Sequence, residues 1–212
     1  APDVSRIDRV RVLKAAAAAL ALKPVSVIDS RAKLSDGGSN DFYSNGDYWW
    51  PNPATPDGLP YVQRDGETNP ENFSQHRLAV RQLNQSVAAL AAAYQVTREG
   101  RYVNKAAELL RVFFLDPKTR MNPHLNYAQV IPGVSPGRGI GIIDTLHLIE
   151  IPVAIAALEK SSGFPPEVAA GMRKWFADYL DWMITSKNGK EEAAAKNNHA
   201  VAFWLQVAVF AR

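Results

Sequence analysis

Lys196-Asn197-Asn198-His199 sets two amides and an imidazole directly ahead of an apolar run, Ala200 to Phe210. A histidine has the intrinsic pKa for moving protons near neutrality. An asparagine amide can donate to negative charge as it develops on a reacting group. The same residues also have a plainer use. Asn197 or Asn198 can cap the helix that follows, and His199 can pack in a core.

Three other segments concentrate side chains of this kind. Ser39–Asn52 (SNDFYSNGDYWWPN) crowds Phe42, Tyr43, Tyr48, Trp49 and Trp50 into a Gly/Asn-rich stretch. Such rings either stack on sugar faces or pin the loop to the core. Asp65–Arg77 (DGETNPENFSQHR) ends with His76 and Arg77 at the start of a helical pattern. Arg77 can hold a carboxylate bidentately, or form a helix-start salt bridge with Glu71. Met121–Gly139 gathers His124, Asn126, Tyr127, Gln129 and Arg138 within 15 residues. These five either meet a ligand or serve as the loop's own turn caps. His147 reads as a packing histidine.

The elements that would carry these segments are helices. Ser5 to Lys23 is rich in Ala and Leu and is closed by Pro24. Gln75 to Thr97 repeats Leu78, Leu83, Val87, Leu90 and Tyr94 at helical spacing. Gly100 breaks it, and Tyr102 to Leu115 makes a hairpin with it. Ile140 to Lys160 is helical with an expected kink at Pro152. A helix from Pro165-Pro166 runs to about Ser186, with Trp175, Phe176, Tyr179, Leu180 and Met183 on its apolar face. Lys187 to Asn197 is polar and partly helical, and His199 to Phe210 is strongly apolar. No strand is evident. Stacked antiparallel hairpins give a bundle, a solenoid or a toroid, and no fixed repeat favours the solenoid. Long irregular segments alternate with tight turns, which puts the long ones on one face, where they can build a cleft.

Composition narrows the partners. The 212 residues suffice for one sizeable core. There is no cysteine, so disulfides and thiolate metal sites are excluded. The histidines show no short-spaced ligand pair, and no metal or other cofactor is expected. Net charge is +3, from 24 Lys/Arg against 21 Asp/Glu. The basic residues form no run, which argues against nucleic acid, and the balance suits an anionic ligand. No uninterrupted apolar run approaches the roughly 18 residues of a bilayer span, so no membrane is expected. Neither a P-loop, a Rossmann fingerprint nor HExxH is present. Hydrolysis of a glycosidic bond would need a pair of carboxylates. Asp41, Asp47 and Asp65 lie in the loops, but no acid is expected beside the Asn-His step.

The segments SNDFYSNGDYWWPNP, DGLPYVQRDGETNPENF, NPHLNYAQVIPGVSPGRGIGIID and KNNHAVAFWLQVA together resemble the alginate-lyase domain family of polysaccharide lyases. The similarity runs from about residue 35 onward and is greater to the polymannuronate- and glucuronan-cleaving branch. It implies an all-α fold, an incomplete (α/α) toroid of antiparallel helix hairpins with long active-site loops on one face. It also implies β-elimination on an anionic β-1,4-linked uronan in the periplasm or outside the cell. Asn198 would hold the substrate carboxylate and His199 would be a base or a charge neutraliser. The resemblance also implies that the aromatic loop (Tyr48, Trp49, Trp50) and the NPHLNYAQ loop (His124, Asn126, Gln129) line the subsites, and His76, Arg77 and Arg138 are substrate-binding candidates from their types and positions.

The family's catalytic Tyr, with a nearby Arg, lies in a later helical segment than any here. Residues 1–212 are therefore expected to form the N-terminal part of a longer domain. The acid is expected beyond Arg212, with Tyr127, Tyr48 or Tyr43 as candidates inside the chain. The apolar face of the last helix, Val201, Phe203, Trp204, Leu205, Val207, Val209 and Phe210, is expected to need a second chain or a missing segment to cover it.

Overall fold

The computed structural model describes residues 8–212. The first helix, α1 (Arg9–Ala21), starts where the Asp8 carboxylate accepts from Arg11 N at 2.9 Å. The expected start at Ser5 lies outside the described residues. Helix α2 (Gln75–Thr97) has the predicted bounds. It stops because Arg98 turns left-handed (φ 62°), so the break precedes Gly100, which opens α3 (Gly100–Leu110). The last predicted turn of α3 widens into a π-helical turn, Arg111–Leu115. The remaining helices are α4 (Glu150–Leu158), α5 (Pro166–Thr185), α6 (Lys187–Ala193) and α7 (Asn198–Phe210).

The predicted helix Ile140–Lys160 is not one kinked helix. Gly139–Ile149 is 3-10 helix and passes into α4. Pro152 then sits in the first turn of α4, where its missing N–H removes no α-helical bond. By length and composition Gly139–Leu158 is apolar enough to cross a membrane. A search for uninterrupted apolar runs misses this, because Asp144, His147 and Glu150 punctuate it. In this fold the stretch packs against α2, α6 and α7 and sends Ile142, Leu148, Ile151 and Leu158 into the core.

That core is centred on α2, which touches α1, α3 and α4. An aromatic cluster of Phe114, Trp175, Phe176, Tyr179 and Phe210 joins α5 and α7 to it. The apolar face of α7 is therefore split. Phe203 (1% exposed) and Phe210 (8%) face the core, contrary to the expectation that both lie uncovered. Val201 (71%), Trp204 (55%) and Leu205 (45%) form an exposed stripe at helical spacing.

Four short strands were not expected. β1 (Tyr43–Asn45) pairs in parallel with β4 (Tyr127–Val130), with a bulge, and β2 (Trp49–Trp50) pairs antiparallel with β3 (Val62–Gln63). Two to four residues carry no readable alternation, so these strands exist through their tertiary partners. The β1–β4 pair ties the two irregular segments that hold most of the candidate site residues to each other, and the β2–β3 pair closes the first of them on itself.

Candidate active site

Helix α7 is capped by Asn197, whose Oδ1 accepts from His199 N at 3.0 Å. That settles which asparagine caps, and it leaves the Asn198 side chain exposed in the first turn. The His199 ring is not a core histidine, since its side chain is 23% exposed. Its Nδ1 lies 2.7 Å from Oε1 of Glu192, whose side chain is 2% exposed. The expectation that no acid sits beside the Asn-His step is thus overturned. Glu192 lies seven residues earlier, on α6, and the break at Ala194–Asn197 folds α7 back against it. Burial pushes the Glu192 carboxyl above its ordinary range, and the hydrogen bond and charge of His199 oppose that push.

Helix α6 is fixed from both sides. The Ser186 side chain caps its start by accepting from Gly189 N at 3.0 Å. On the other side Gly139 lies flat on the helix. A Cβ there would come 2.5 Å from Asn188 O and 3.2 Å from Glu192 N, a close approach that only glycine permits. Arg138 therefore leaves the backbone one residue from the helix that carries Glu192.

Arg138 donates from Nε to Gln129 O (2.9 Å) and from Nη2 to Gln129 Oε1 (3.2 Å). Its guanidinium also lies against Gly46, where a Cβ would come 2.7 Å from both Arg138 Nη2 and Trp49 Cδ1. Gln129 is held in the left-handed region (φ 54°), and its backbone N donates to Ser44 Oγ at 2.8 Å. Burial pulls Arg138 below the ordinary arginine range, and Asp47 and Asp144 pull the other way. Among the described residues Arg138 makes no ion pair.

Arg77 behaves differently from what its sequence position suggested. Its Nη1 pairs with Asp47 Oδ1 at 2.7 Å, its Nε lies 3.2 Å from Asp144 Oδ2, and its Nη2 donates to Asn45 O at 2.8 Å. Its charge is spent on the protein's own carboxylates, so it supports the loops rather than meeting a ligand. Asp144, which the sequence reading passed over, has a side chain only 7% exposed and also accepts from Ser44 Oγ at 2.6 Å. Burial raises its carboxyl and Arg77 opposes the rise. Behind it Thr145 bonds Tyr179 OH (2.7 Å), and Gln206 of α7 joins that pair (3.1 Å), which locks α7 to the 3-10 segment.

His76 is not a ligand. It is 4% exposed. Nδ1 accepts from Tyr43 N at 2.9 Å and Nε2 lies 2.9 Å from Ser30 O, so both nitrogens are used. His124 is likewise a loop tie, with Nε2 3.2 Å from Asp41 Oδ1, while Asp41 also accepts from Asn122. Asn126 accepts from Trp182 Nε1 at 2.9 Å. Tyr127 packs its ring on Gly37 and joins Ala32, Tyr43 and Val130, on the other face of the β1–β4 pair from Ser44 and Asp144. Tyr43 is 1% exposed and its hydroxyl is pushed up to about 12 by burial. Both rings thus belong to the small apolar cluster around Ala32 and Val130. Tyr48 is 41% exposed. Trp50 is half-buried, with its Nε1 on Glu67 O and Arg64 4.6 Å over its ring. Trp49 is half-buried against Gly46. The described residues contain no group of three or more His, Cys, Asp or Glu that could hold a metal ion.

Burial holds both His76 and His124 below the ordinary 6.5. A histidine with a lowered folded pKa binds protons more readily once unfolded. Its contribution is therefore complete above about pH 6.5 and is lost as pH falls below that value. Unfolding free energy from urea titrations should fall between about pH 7 and pH 5, and the slope should flatten in His76→Gln. An unchanged slope in that variant would remove His76 as a source of the effect.

No curated protein matches the chain. Among solved structures, the crystal structure of an alginate lyase from Bacteroides ovatus superposes with a TM-score of 0.88 at 40% sequence identity. The match covers 96% of this chain and 54% of that one, so this chain spans about half the length of its structural relative. The alginate lyase family model matches residues 28–212, which takes in every residue of the arrangement just described. With its helical frame, its loops and its Asn-His step, the chain belongs to the alginate lyase family.

Proposed function

We propose that this chain carries the carboxylate-binding and proton-abstracting part of a polysaccharide lyase that cleaves β-1,4-linked uronans, polymannuronate or glucuronan, by β-elimination. The observation that carries the reading is an Asn198–His199 step in which Asn198 is exposed and His199 is backed by the buried Glu192, on a helix, α6, that packs against Gly139, the residue after Arg138. Elimination breaks the C5–H bond and passes its electron pair into a C4–C5 double bond. The C4–O4 bond breaks, and O4 leaves with a proton. The C5 proton is acidic only while the uronate carboxylate is neutralised. Arg138 supplies a charge with no protein carboxylate of its own, and Asn198 supplies an amide donor. His199, with Nδ1 on Glu192, would take the proton on Nε2. Trp49, which shares the Gly46 contact with Arg138, and the exposed Tyr48 beside it offer rings to neighbouring sugars.

The location that fits such a polymer is the periplasm or the cell exterior. The experiment is digestion of polymannuronate, polyguluronate and glucuronan, with products read by mass spectrometry. Elimination gives non-reducing ends one water lighter than hydrolysis does. Saturated products, or none from any uronan, contradict the proposal.

We also propose that the stripe Val201, Trp204 and Leu205 is covered in solution by a second copy of the chain. Light scattering on the 212-residue chain should show self-association. A monomer at all concentrations, with Trp204 fluorescence fully open to a soluble quencher, contradicts this.

A further inference from the structure

The acid behind His199 has a consequence for what that histidine does. We infer that Glu192 is a positioning residue that holds the proton of His199 on Nδ1, and so makes His199 a base rather than a cation toward the substrate. The inference rests on the elimination reading above. It starts from the contact of Glu192 Oε1 with His199 Nδ1 at 2.7 Å, between side chains 2% and 23% exposed. The hydrogen bond and charge of His199 oppose the burial that would protonate Glu192, and an ionised carboxylate accepts and does not donate, so the hydrogen in this bond sits on Nδ1 and Nε2 is left with its lone pair.

Glu192 is too buried to reach a sugar itself, which leaves only its action through the ring. The rival role, an imidazolium that neutralises the uronate, fits the geometry poorly. A charged ring would already be matched by Glu192 at contact distance, with little left for a second carboxylate. Arg138, which makes no ion pair among the described residues, serves that need better. Once Nε2 has taken the C5 proton, Glu192 stabilises the imidazolium that results. An aspartate behind the histidine of a serine protease acts in the same way.

The backbone explains why the pair holds. Gly139 packs on Glu192 N, and the Asn197 cap fixes the first turn of α7, so both partners sit on rigid elements.

Two measurements test this. Nitrogen-15 NMR of histidine-labelled protein, at alkaline pH where rings are neutral, reads the tautomer. His199 is one of only four histidines and is assigned from a His199→Asn sample. Wild-type His199 should show a protonated Nδ1 and a bare Nε2, and Glu192→Leu should move the proton toward Nε2. Should the leucine variant not fold, Glu192→Gln keeps the shape without the charge.

In turnover, Glu192→Gln should lower kcat by roughly 10²- to 10⁴-fold with KM changed by less than about threefold. A bare Nδ1 in the wild-type enzyme, or a Glu192→Gln kcat within about threefold of wild type, overturns the inference. The failure of the lyase reading looks different. In that case no uronan is cleaved by the wild type, while the tautomer measurement still gives its own answer.

Discussion

Replacing His199 by alanine is expected to lower the rate of uronan cleavage by roughly 10²- to 10⁴-fold, the range removed with a general base. The helices should survive the change. The ring is 23% exposed and buries little apolar surface, and the cap of α7 comes from Asn197 and the His199 backbone, which the substitution keeps. Glu192 would lose its partner, and a buried acceptor without a partner costs about 1–3 kcal/mol. That cost is eased because burial already favours the protonated carboxyl. Far-ultraviolet circular dichroism should therefore match the wild type, with a modest fall in melting temperature. Full turnover by the alanine variant would take His199 out of the mechanism.

The second large effect concerns stability. Arg77→Met should destabilise the protein by about 3–5 kcal/mol, the cost of breaking a buried ion pair from one side. Arg77 is the only charged group that compensates Asp144 at contact distance among the described residues, and it also secures Asp47 and the backbone of Asn45. Without it, Asp144 keeps only Ser44 and the long contact from Gln129. Urea titration reads the loss directly. The double variant Arg77→Met with Asp144→Asn should recover part of it, because it removes the uncompensated charge. A loss below about 1 kcal/mol, as for an exposed pair, would contradict the account of this network. Catalysis should fall too, since Ser44 holds Gln129 and Gln129 holds Arg138.

The frame was legible where periodicity is strong. Helix α2 has its predicted bounds, because Leu83, Val87, Leu90 and Tyr94 recur at helical spacing and are buried, although Leu78 of the same pattern is exposed and Asn84 and Ser86 share the buried face. The 3-10 segment before α4 was not legible, since its apolar residues suit either helix type and the switch depends on packing against α6 and α7. The short strands were hidden for a related reason. Tyr43–Asn45 pairs with Tyr127–Val130 far along the chain, and Trp49–Trp50 pairs with Val62–Gln63 across an irregular Pro-rich loop, so nothing local announces either partner.

The candidate site divides in the same way. Asn198, His199 and Arg138 stand out by type and loop context; in the fold Asn198 stays exposed, Arg138 makes no ion pair among the described residues, and His199 keeps one ring nitrogen outside its bond to Glu192. His76 and His124 stand out equally by type, but hydrogen bonds to Ser30, Tyr43 and Asp41 absorb them. Only tertiary structure separates the two groups. Glu192 and Asp144 are the reverse case. Each sits in a helical segment where a charged residue reads as solvated surface, and each is buried because a distant cation or imidazole turns toward it. A glutamate seven residues ahead of an Asn-His step is a local signal only once the chain is known to reverse between them.

The most direct measurement of the central claim is the ultraviolet absorbance of the conjugated C4–C5 double bond during incubation with polymannuronate and with glucuronan. The account predicts a steady rise with at least one of these polymers that His199→Ala removes while the fold stays intact. New reducing ends without that absorbance, or an undiminished rise in the alanine variant, would contradict it.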